Sequence, residues 1–407
     1  ASDCRSYDFN VRQNMPAQAA NDLYDPLFHT PQDDLYEIYR LLRDEHPVYH
    51  CASRDVWCLS RFDDVQATAR NWQTFSNASG VDLDVPGQFF GIGDFLDSDP
   101  PRHDVLRKAV RPFFVSKQIA GLERAIGERV EGLAAKIAQE QQVDLAQQFA
   151  WALPIWVICR LLGVPQTDDE MVHDLVTDLV TRDPGEDEPP EQSLASLAAL
   201  HEYAEDLAAH KRRAPGEDLM SHIVAGEAAD APRTEEIPGM MVLLFTAGSE
   251  TTAALIGNTL VLLAKHPDVQ AALRQKPAAL IEPVIEESVR TESPVQYLAR
   301  HTTASARVHD VEIPADADVA LLYGSANRDQ RHFDRAEEFD IRRPAQRHLG
   351  FGEGIHFCLG APLARLETRL AIPAFLRAVA SYEIEPQTER FRNHIVRGFQ
   401  RLPARIG

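Results

Sequence analysis

The sequence has few cysteines and no long uninterrupted apolar segment. Five cysteines occur in 407 residues, an odd number without zinc-site spacing, which favours a reducing compartment over a disulfide framework. The strongest apolar run, residues 240–247, is too short to span a bilayer, and residues 1–21 lack the apolar segment of a signal peptide. We therefore expect a cytoplasmic protein without a membrane segment.

Basic residues are also scarce, since 62 acidic residues stand against 41 lysines and arginines and the formal net charge is −21. Nucleic-acid binding needs a basic face, so the charge excludes a general nucleic-acid partner, and mutual repulsion favours a monomer. No repeat or low-complexity tract divides the chain. We expect a single domain over residues 1–407, with an irregular arm at residues 1–30.

Apolar periodicity predicts a mainly α protein with a smaller β-rich part. Residues 76–98 are glycine-broken but apolar, which predicts either a pocket wall or a loop covering the core. The acidic, proline-rich residues 182–191 predict a mobile loop between two helices. Helices are predicted at about residues 33–46, 63–72, 120–141, 145–162, 168–181, 192–213 and 234–265. Another helix is predicted to start at residues 99–103, and further helices run to residue 290. Strands are predicted at 48–50, 56–60, 300–303, 311–314, 319–323, 382–384 and 395–402.

One cysteine stands in a glycine-bearing loop directly before a helical pattern. Residues 351–360 are FGEGIHFCLG, with Cys358 followed by leucines at helical spacing. The N-terminus of a helix favours thiolate over thiol, and turned backbone N–H groups can hydrogen-bond the sulfur. A lone cysteine is most often a small buried hydrophobe. This pattern instead predicts the fifth ligand of a haem iron.

A second group of polar residues interrupts the apolar pattern of residues 234–265, which predicts a buried central helix. Gly248 and Glu250 are unfavourable in such a helix unless they serve a purpose. Thr251 is expected to hydrogen-bond back to the carbonyl of Ala247, loosening the helix beside Gly248 for a small ligand and water. A kinked core helix with a satisfied glutamate remains the alternative.

Two further pairs stand at helical spacing. His103 and Arg107, four apart, share a helix face that suits paired carboxylates, or they are ordinary solvated side chains. Glu287 and Arg290, three apart, are expected to form an ion pair.

Together these segments resemble the cytochrome P450 family over about residues 30–407. Residues 351–360 match F-G-x-G-x-[HR]-x-C-x-G at every fixed position, and residues 247–252 are similar to the family's oxygen-binding helix. The pair Glu287 and Arg290 is similar to the family's E-x-x-R motif. Residues 99–107 resemble the helix whose histidine and arginine hold a haem propionate.

The resemblance implies a triangular helical prism with haem b between a long distal helix and the cysteine loop. Cys358 would be the iron ligand, and Glu250 and Thr251 would be catalytic, relaying protons to oxygen. The other implied cofactor-binding residues are His103, Arg107, Ala247, Gly248, Arg300, Phe351, Gly352, His356 and Gly360.

The implied activity is a haem-thiolate monooxygenase that inserts one O₂-derived oxygen atom into a small apolar substrate, by hydroxylation, O-dealkylation or epoxidation. Electrons would come from a ferredoxin- or flavodoxin-type donor with its reductase. A peroxide-driven peroxygenase and a non-catalytic haem sensor remain alternatives. The expected pocket residues are Phe89, Phe90, Val242, Leu243, Val295, Val396 and Phe399, with Arg397 expected to point to water. The expected basic residues for donor docking, with ordinary solvated charges as the alternative, are Arg102, Lys108, Arg111, Lys117, Arg342 and Arg343.

Overall fold

The computed structural model describes residues 22–28, 35–85, 87–183, 188–226 and 231–407. Most of the expected N-terminal arm and part of the loop expected at 182–191 lie outside these residues. The α-helices are α1 (Leu35–Glu45), α2 (Phe62–Arg70), α3 (Arg102–Val110), α4 (Ser116–Ile137), α5 (Pro154–Leu162), α6 (Asp169–Val180), α7 (Glu191–Arg213), α8 (Leu219–Val224), α9 (Ile237–Lys265), α10 (Pro267–Gln275), α11 (Pro277–Thr291), α12 (Tyr323–Ala326) and α13 (Ala361–Ala378).

The strands are short and form small sheets. They are β1 (Val48–Cys51), β2 (Val56–Leu59), β3 (Phe75–Ser76), β4 (Gln142–Asp144), β5 (Leu298–Thr302), β6 (Ala306–Val308), β7 (Val311–Ile313), β8 (Asp318–Leu321), β9 (Tyr382–Ile384), β10 (Glu389–Arg390), β11 (Phe399–Arg401) and β12 (Pro403–Ile406). The largest sheet has the order β1-β2-β8-β5-β3, in which β2 and β8 are parallel and the other pairs antiparallel. The predicted mainly α fold with a smaller β part is confirmed.

The central helix of the fold is α9. It is apolar nearly all round, so it packs against α5 on one side, α7 on another and α13 below. Within the described residues, the stretch Thr234–Lys265 is the one helix apolar and long enough to cross a membrane, but 83% of its most apolar window is buried inside the protein. Its hydrophobicity is therefore that of a core helix.

A buried ion pair joins α11 to the long loop that precedes the cysteine segment. Arg290 donates to both carboxylate oxygens of Glu287, at 2.7 and 2.8 Å, as expected from their spacing. The same guanidinium donates to the backbone carbonyls of Asn327, Ala336 and Glu338. The pair thus fixes the loop that leads into residues 351–360.

The helix predicted to start at residues 99–103 begins at Arg102. Asp99 and Pro100 each precede a proline, which disfavours the helical backbone conformation at these two residues. Strands β4 and β12, which pair with each other, were not predicted. With three and four residues, these strands are too short to show a period.

Candidate active site

The cysteine loop is held in place by its own backbone and by neighbouring charges. The Cys358 N–H donates to the Phe351 carbonyl at 2.8 Å, and Gly352 adopts the left-handed φ of 68° that the turn requires. Arg365 on α13 lies over the Phe351 ring, with its guanidinium carbon 4.2 Å from the ring centroid. The sulfur is therefore presented from a rigid turn two residues before the N-cap of α13.

The electrostatics at Cys358 differ from the expectation based on the helix N-terminus alone. Burial raises the pKa of the Cys358 thiol, although backbone N–H groups of Gly360 and Ala361 and the guanidinium of Arg107 act in the opposite direction. Desolvation of the sulfur outweighs the helix end. A metal cation bound to the sulfur would reverse this balance and favour thiolate.

A cavity of about 290 Å³ lies between the cysteine loop and α9. Cys358 forms part of one wall, while Ala247, Gly248, Glu250 and Thr251 line the cavity from α9. Further parts of its wall come from residues 81–82, 89–90 and 95–97, from residues within 294–300 and from residues 393–396. The elements predicted from four separate stretches of sequence therefore meet at one cavity.

The residues at one edge of this cavity fit the carboxylates of a porphyrin. Arg107, Arg300 and His356 line the cavity, and the His103 and His356 rings lie 4.6 Å apart. Within the described chain no hydrogen bond reaches the buried Nε2 atoms of these two histidines. Burial, reinforced by Arg300, His103 and Arg107, lowers the pKa of His356 to about 2. His103 Nδ1 is paired with Asp104, so the two Nε2 atoms and the guanidinium groups of Arg107 and Arg300 are the part of this cluster that suits the carboxylates.

On α9, the structure contains the predicted hydrogen bond between the Thr251 hydroxyl and the Ala247 carbonyl, at 2.9 Å. Glu250 is 3% exposed and accepts a hydrogen bond of 3.1 Å from Asn393 Nδ2. Burial raises the pKa of Glu250, and the Arg182 charge and the Asn393 hydrogen bond lower it. The effect of burial is larger, so the pKa is about 8. The Glu250 carboxyl is therefore a neutral acid near pH 7.

The predicted loosening of α9 beside Gly248 is not observed, and the glycine serves helix packing instead. A Cβ atom at Gly248 would lie 2.8 Å from Ile158 Cδ1, so the glycine allows α5 to pack closely on α9. The helix runs from Ile237 to Lys265 without interruption. Gly248 also lines the cavity, but helix packing accounts for the missing side chain.

Polar side chains from three segments form one end of the cavity, and the sequence analysis missed them. Arg182 donates to Asp84 Oδ2 at 2.5 Å, and His394 Nε2 lies 2.7 Å from Asp82 Oδ1. The two aspartates and His394 have the spacing of a metal site, yet the Arg182 guanidinium already supplies a positive charge there. Arg182 is thus buried and fixed, and does not belong to the mobile loop expected from residue 182 onward.

Two of the expected pocket residues do not line the cavity. Val242 is fully buried beside Leu243, which does line it, because adjacent helix positions point about 100° apart. Phe399 packs toward Gly257, with the Arg390 guanidinium carbon 3.9 Å from its ring centroid. The other expected pocket residues, Phe89, Phe90, Leu243, Val295 and Val396, all line the cavity.

Arg397 and Glu367 are two buried ionisable residues near the cavity. The first differs from the expectation, and the second was not anticipated. Arg397 does not point to water, since it is 2% exposed and its Nε donates to Glu292 at 2.9 Å. Glu367 on α13 lines the cavity, and within the described residues no hydrogen bond reaches its Oε2 atom. Burial raises the pKa of Glu367 well above its ordinary value. A carboxyl nine residues after Cys358 gave no local signal in the sequence.

Three of the six basic residues expected to dock the electron donor form ion pairs within the protein. Arg102 is paired with the buried carboxylate of Glu236, and Arg343 is buried against Glu287 at 3.1 Å. Arg342 is exposed but pairs with Asp340 at 3.1 Å. The exposed basic residues at the end of α3 and the start of α4 are Lys108, Arg111 and Lys117.

Comparison with known proteins identifies the same family that the sequence motifs resemble. The model of the cytochrome P450 family matches residues 197–397. The chain is 36% identical over 391 residues to a putative cytochrome P450 123 of Mycobacterium tuberculosis, covering 95% of this chain and 96% of the relative. It is 34% identical over 389 residues to the cytochrome P450 monooxygenase PikC of Streptomyces venezuelae, covering 91% of each. A solved structure of a mutant of P450 EryK in complex with erythromycin B matches with a TM-score of 0.84 and 32% identity, covering 92% of this chain and 96% of that one.

The fold and these relatives define an oxidoreductase that works with a haem cofactor. The chain belongs to the cytochrome P450 family, and its reaction class is that of a haem-thiolate monooxygenase.

Proposed function

We propose that this protein uses haem b to insert one atom of O₂ into a small apolar organic substrate, with electrons from a ferredoxin- or flavodoxin-type donor. The observation that carries the proposal is the meeting of Cys358 with Glu250 and Thr251 in one mostly apolar cavity. When bound, the haem supplies oxygen binding and activation. The chain's own residues supply its attachment, the protons and the substrate's position.

Cys358 is the proposed iron ligand. Arg107, Arg300, His103 and His356 are the proposed partners of the two porphyrin carboxylates, because two guanidinium groups lie beside two buried imidazole Nε2 atoms that no hydrogen bond reaches within the described residues. The neutral Glu250 carboxyl can release a proton into the cavity, and a nearby general acid typically contributes about 10²–10⁴-fold in rate. The Thr251 hydroxyl donates to the Ala247 carbonyl, so its lone pairs are free to accept a hydrogen bond from the cavity side.

The substrate should be predominantly apolar, because Phe89, Phe90, Leu243, Val295 and Val396 form much of the wall. A small aromatic or terpenoid-like compound is our first candidate, with fatty acids and macrolides as further classes. The relative EryK is known in complex with erythromycin B, which makes this compound a useful probe.

We propose that the electron donor docks at Lys108, Arg111 and Lys117. Arg107 on α3, the helix that carries Lys108, donates to the Phe357 carbonyl next to Cys358, so this surface adjoins the cysteine loop. We also propose a cytoplasmic location, which suits the buried free thiols of Cys51, Cys58 and Cys159.

The proposal is tested by titrating the haem-loaded protein with toluene, limonene, palmitic acid and erythromycin B. Displacement of iron-bound water gives a low- to high-spin shift. Each binder is then incubated with a ferredoxin, its reductase and NADPH, or with hydrogen peroxide alone. The proposal expects oxygenated product with the reductant and O₂. Product in the peroxide arm and none in the reductant arm would identify a peroxygenase. No product from any spin-shifting compound in either arm would favour a sensor.

A further inference from the structure

The side chain of Asn393 has a fixed orientation, because two backbone groups hold its oxygen. The N–H groups of Ile395 and Val396 donate to Asn393 Oδ1 at 2.7 and 2.9 Å. Backbone N–H groups can only donate, so the oxygen must face them and the NH₂ group must face the opposite way. Asn393 is 8% exposed, and its loop therefore leaves little freedom to the amide.

The NH₂ group of Asn393 joins two other segments. It donates to Glu250 Oε1 at 3.1 Å and to the carbonyl of Val180, the last residue of α6, at 3.2 Å. Val396, whose N–H group helps to hold the amide, lines the cavity. Asn393 thus links the end of α6, the acid on α9 and the segment that faces the substrate.

This contact has a consequence for the protonated form of Glu250. An NH₂ group can only donate, so Oε1 acts as an acceptor whether the carboxyl is charged or neutral. The carbonyl oxygen of a neutral acid is a stronger acceptor than its hydroxyl oxygen, so this contact favours the proton on Oε2, the oxygen that Asn393 does not contact. We propose that Asn393 is a positioning residue of the oxygenation reaction, which fixes the Glu250 carboxyl so that its O–H group is on Oε2. This inference rests on the proposed role of Glu250 as a proton donor.

The charged groups around Glu250 do not substitute for this contact. Arg182 and Asp82 act on Glu250 through their charges, and Asp84 and His394 are paired with them. Within the described residues, Asn393 is the one group that forms a hydrogen bond with the Glu250 carboxyl. The Asn393 amide therefore sets the orientation of the Glu250 carboxyl group.

The test uses Asn393→Asp, which keeps an oxygen for the Ile395 and Val396 N–H groups but replaces the donor with an acceptor. The first measurement is the infrared C=O stretch of the protonated Glu250, identified at pH 6 by its loss in Glu250→Gln. We expect the band to move to higher wavenumber in Asn393→Asp, because Oε1 loses its donor. Haem content and melting temperature establish that the variant is folded.

The second measurement is the fraction of reductant recovered as product, with the panel compound above that gives the largest spin shift. We expect Asn393→Asp to lower this fraction about 10- to 100-fold, the usual effect of a misplaced catalytic group. In a Glu250→Gln background, the same substitution should have no further effect. If the two substitutions lower the recovered fraction independently, so that their effects multiply in the double variant, Asn393 has only a structural role.

The outcomes distinguish this inference from the proposed function. If Glu250→Gln lowers coupling while Asn393→Asp leaves both the band and the coupling unchanged, the positioning role is refuted and the relay stands. If Glu250→Gln leaves coupling unchanged, the proposed relay is refuted and the positioning role with it.

Discussion

Replacing Glu250 with glutamine should change how stability depends on pH. The buried carboxyl has its pKa raised from 4.5 to about 8, chiefly by desolvation. Between these values the folded protein keeps a proton that the unfolded chain releases. The contribution of Glu250 to stability is therefore fully present below pH 4.5 and is lost as the pH rises through 8. Glutamine preserves the shape of the neutral acid and has no proton to lose.

The size of the effect follows from the two pKa values. Between pH 6 and pH 9, the free energy of unfolding of the wild type should fall by about 3 kcal/mol more than that of Glu250→Gln. Equilibrium urea unfolding at pH 6, 7.5 and 9 measures this, with fluorescence from tryptophans such as the buried Trp151 as the probe.

A matched control is Glu236→Gln. Hydrogen bonds from Arg102 and Arg233 overcome desolvation and lower the pKa of Glu236 to about 2, so neither the folded nor the unfolded form titrates between pH 6 and pH 9. Its curve should stay parallel to that of the wild type. A Glu250→Gln curve that is also parallel would refute the claim that Glu250 is a neutral buried acid.

Three further substitutions test the cavity and its surroundings. Thr251→Ala should lower the fraction of reductant recovered as product by about 10²-fold and release hydrogen peroxide instead, whereas Thr259→Ala, which removes a similar back-bond of 2.7 Å elsewhere on α9, should not. Val396→Trp should abolish the spin shift by filling the cavity, while Phe399→Leu, outside the cavity, should retain it; the reverse result would contradict the assignment of the wall. Arg111→Glu should slow electron transfer from the donor most at low salt, unlike Arg405→Glu, which changes an exposed side chain on β12. Equal rates at all salt concentrations would exclude electrostatic docking at this surface.

The sequence was sufficient for features that depend on local pattern. Residues 351–360 carry the cysteine, the turn glycine and the N-cap of α13 within ten positions. The apolar character of α9 nearly all round predicts a buried central helix. The pairing of Glu287 with Arg290 and the bond from Thr251 to Ala247 follow from helix geometry alone. Such features need no knowledge of the tertiary fold.

Tertiary packing decided the features that the sequence could not reveal. His394 and Asp82 are 312 residues apart in the chain, and Asn393 and Glu250 are 143 apart. Which face of α9 borders the cavity depends on the rotation of that helix against its neighbours, so Val242 was assigned wrongly. The pKa of Cys358 likewise depends on desolvation, which only the folded chain determines.

The most direct test of the account is the absorption spectrum of the reduced carbon monoxide complex of Cys358→Ser. We propose that Cys358, as a thiolate, would be the protein ligand of the haem iron. We expect the wild type and Cys159→Ser, which alters a buried thiol on α5, to show the red-shifted Soret band of a thiolate-ligated haem. Cys358→Ser should lose this band. An unchanged band in Cys358→Ser would contradict the claim.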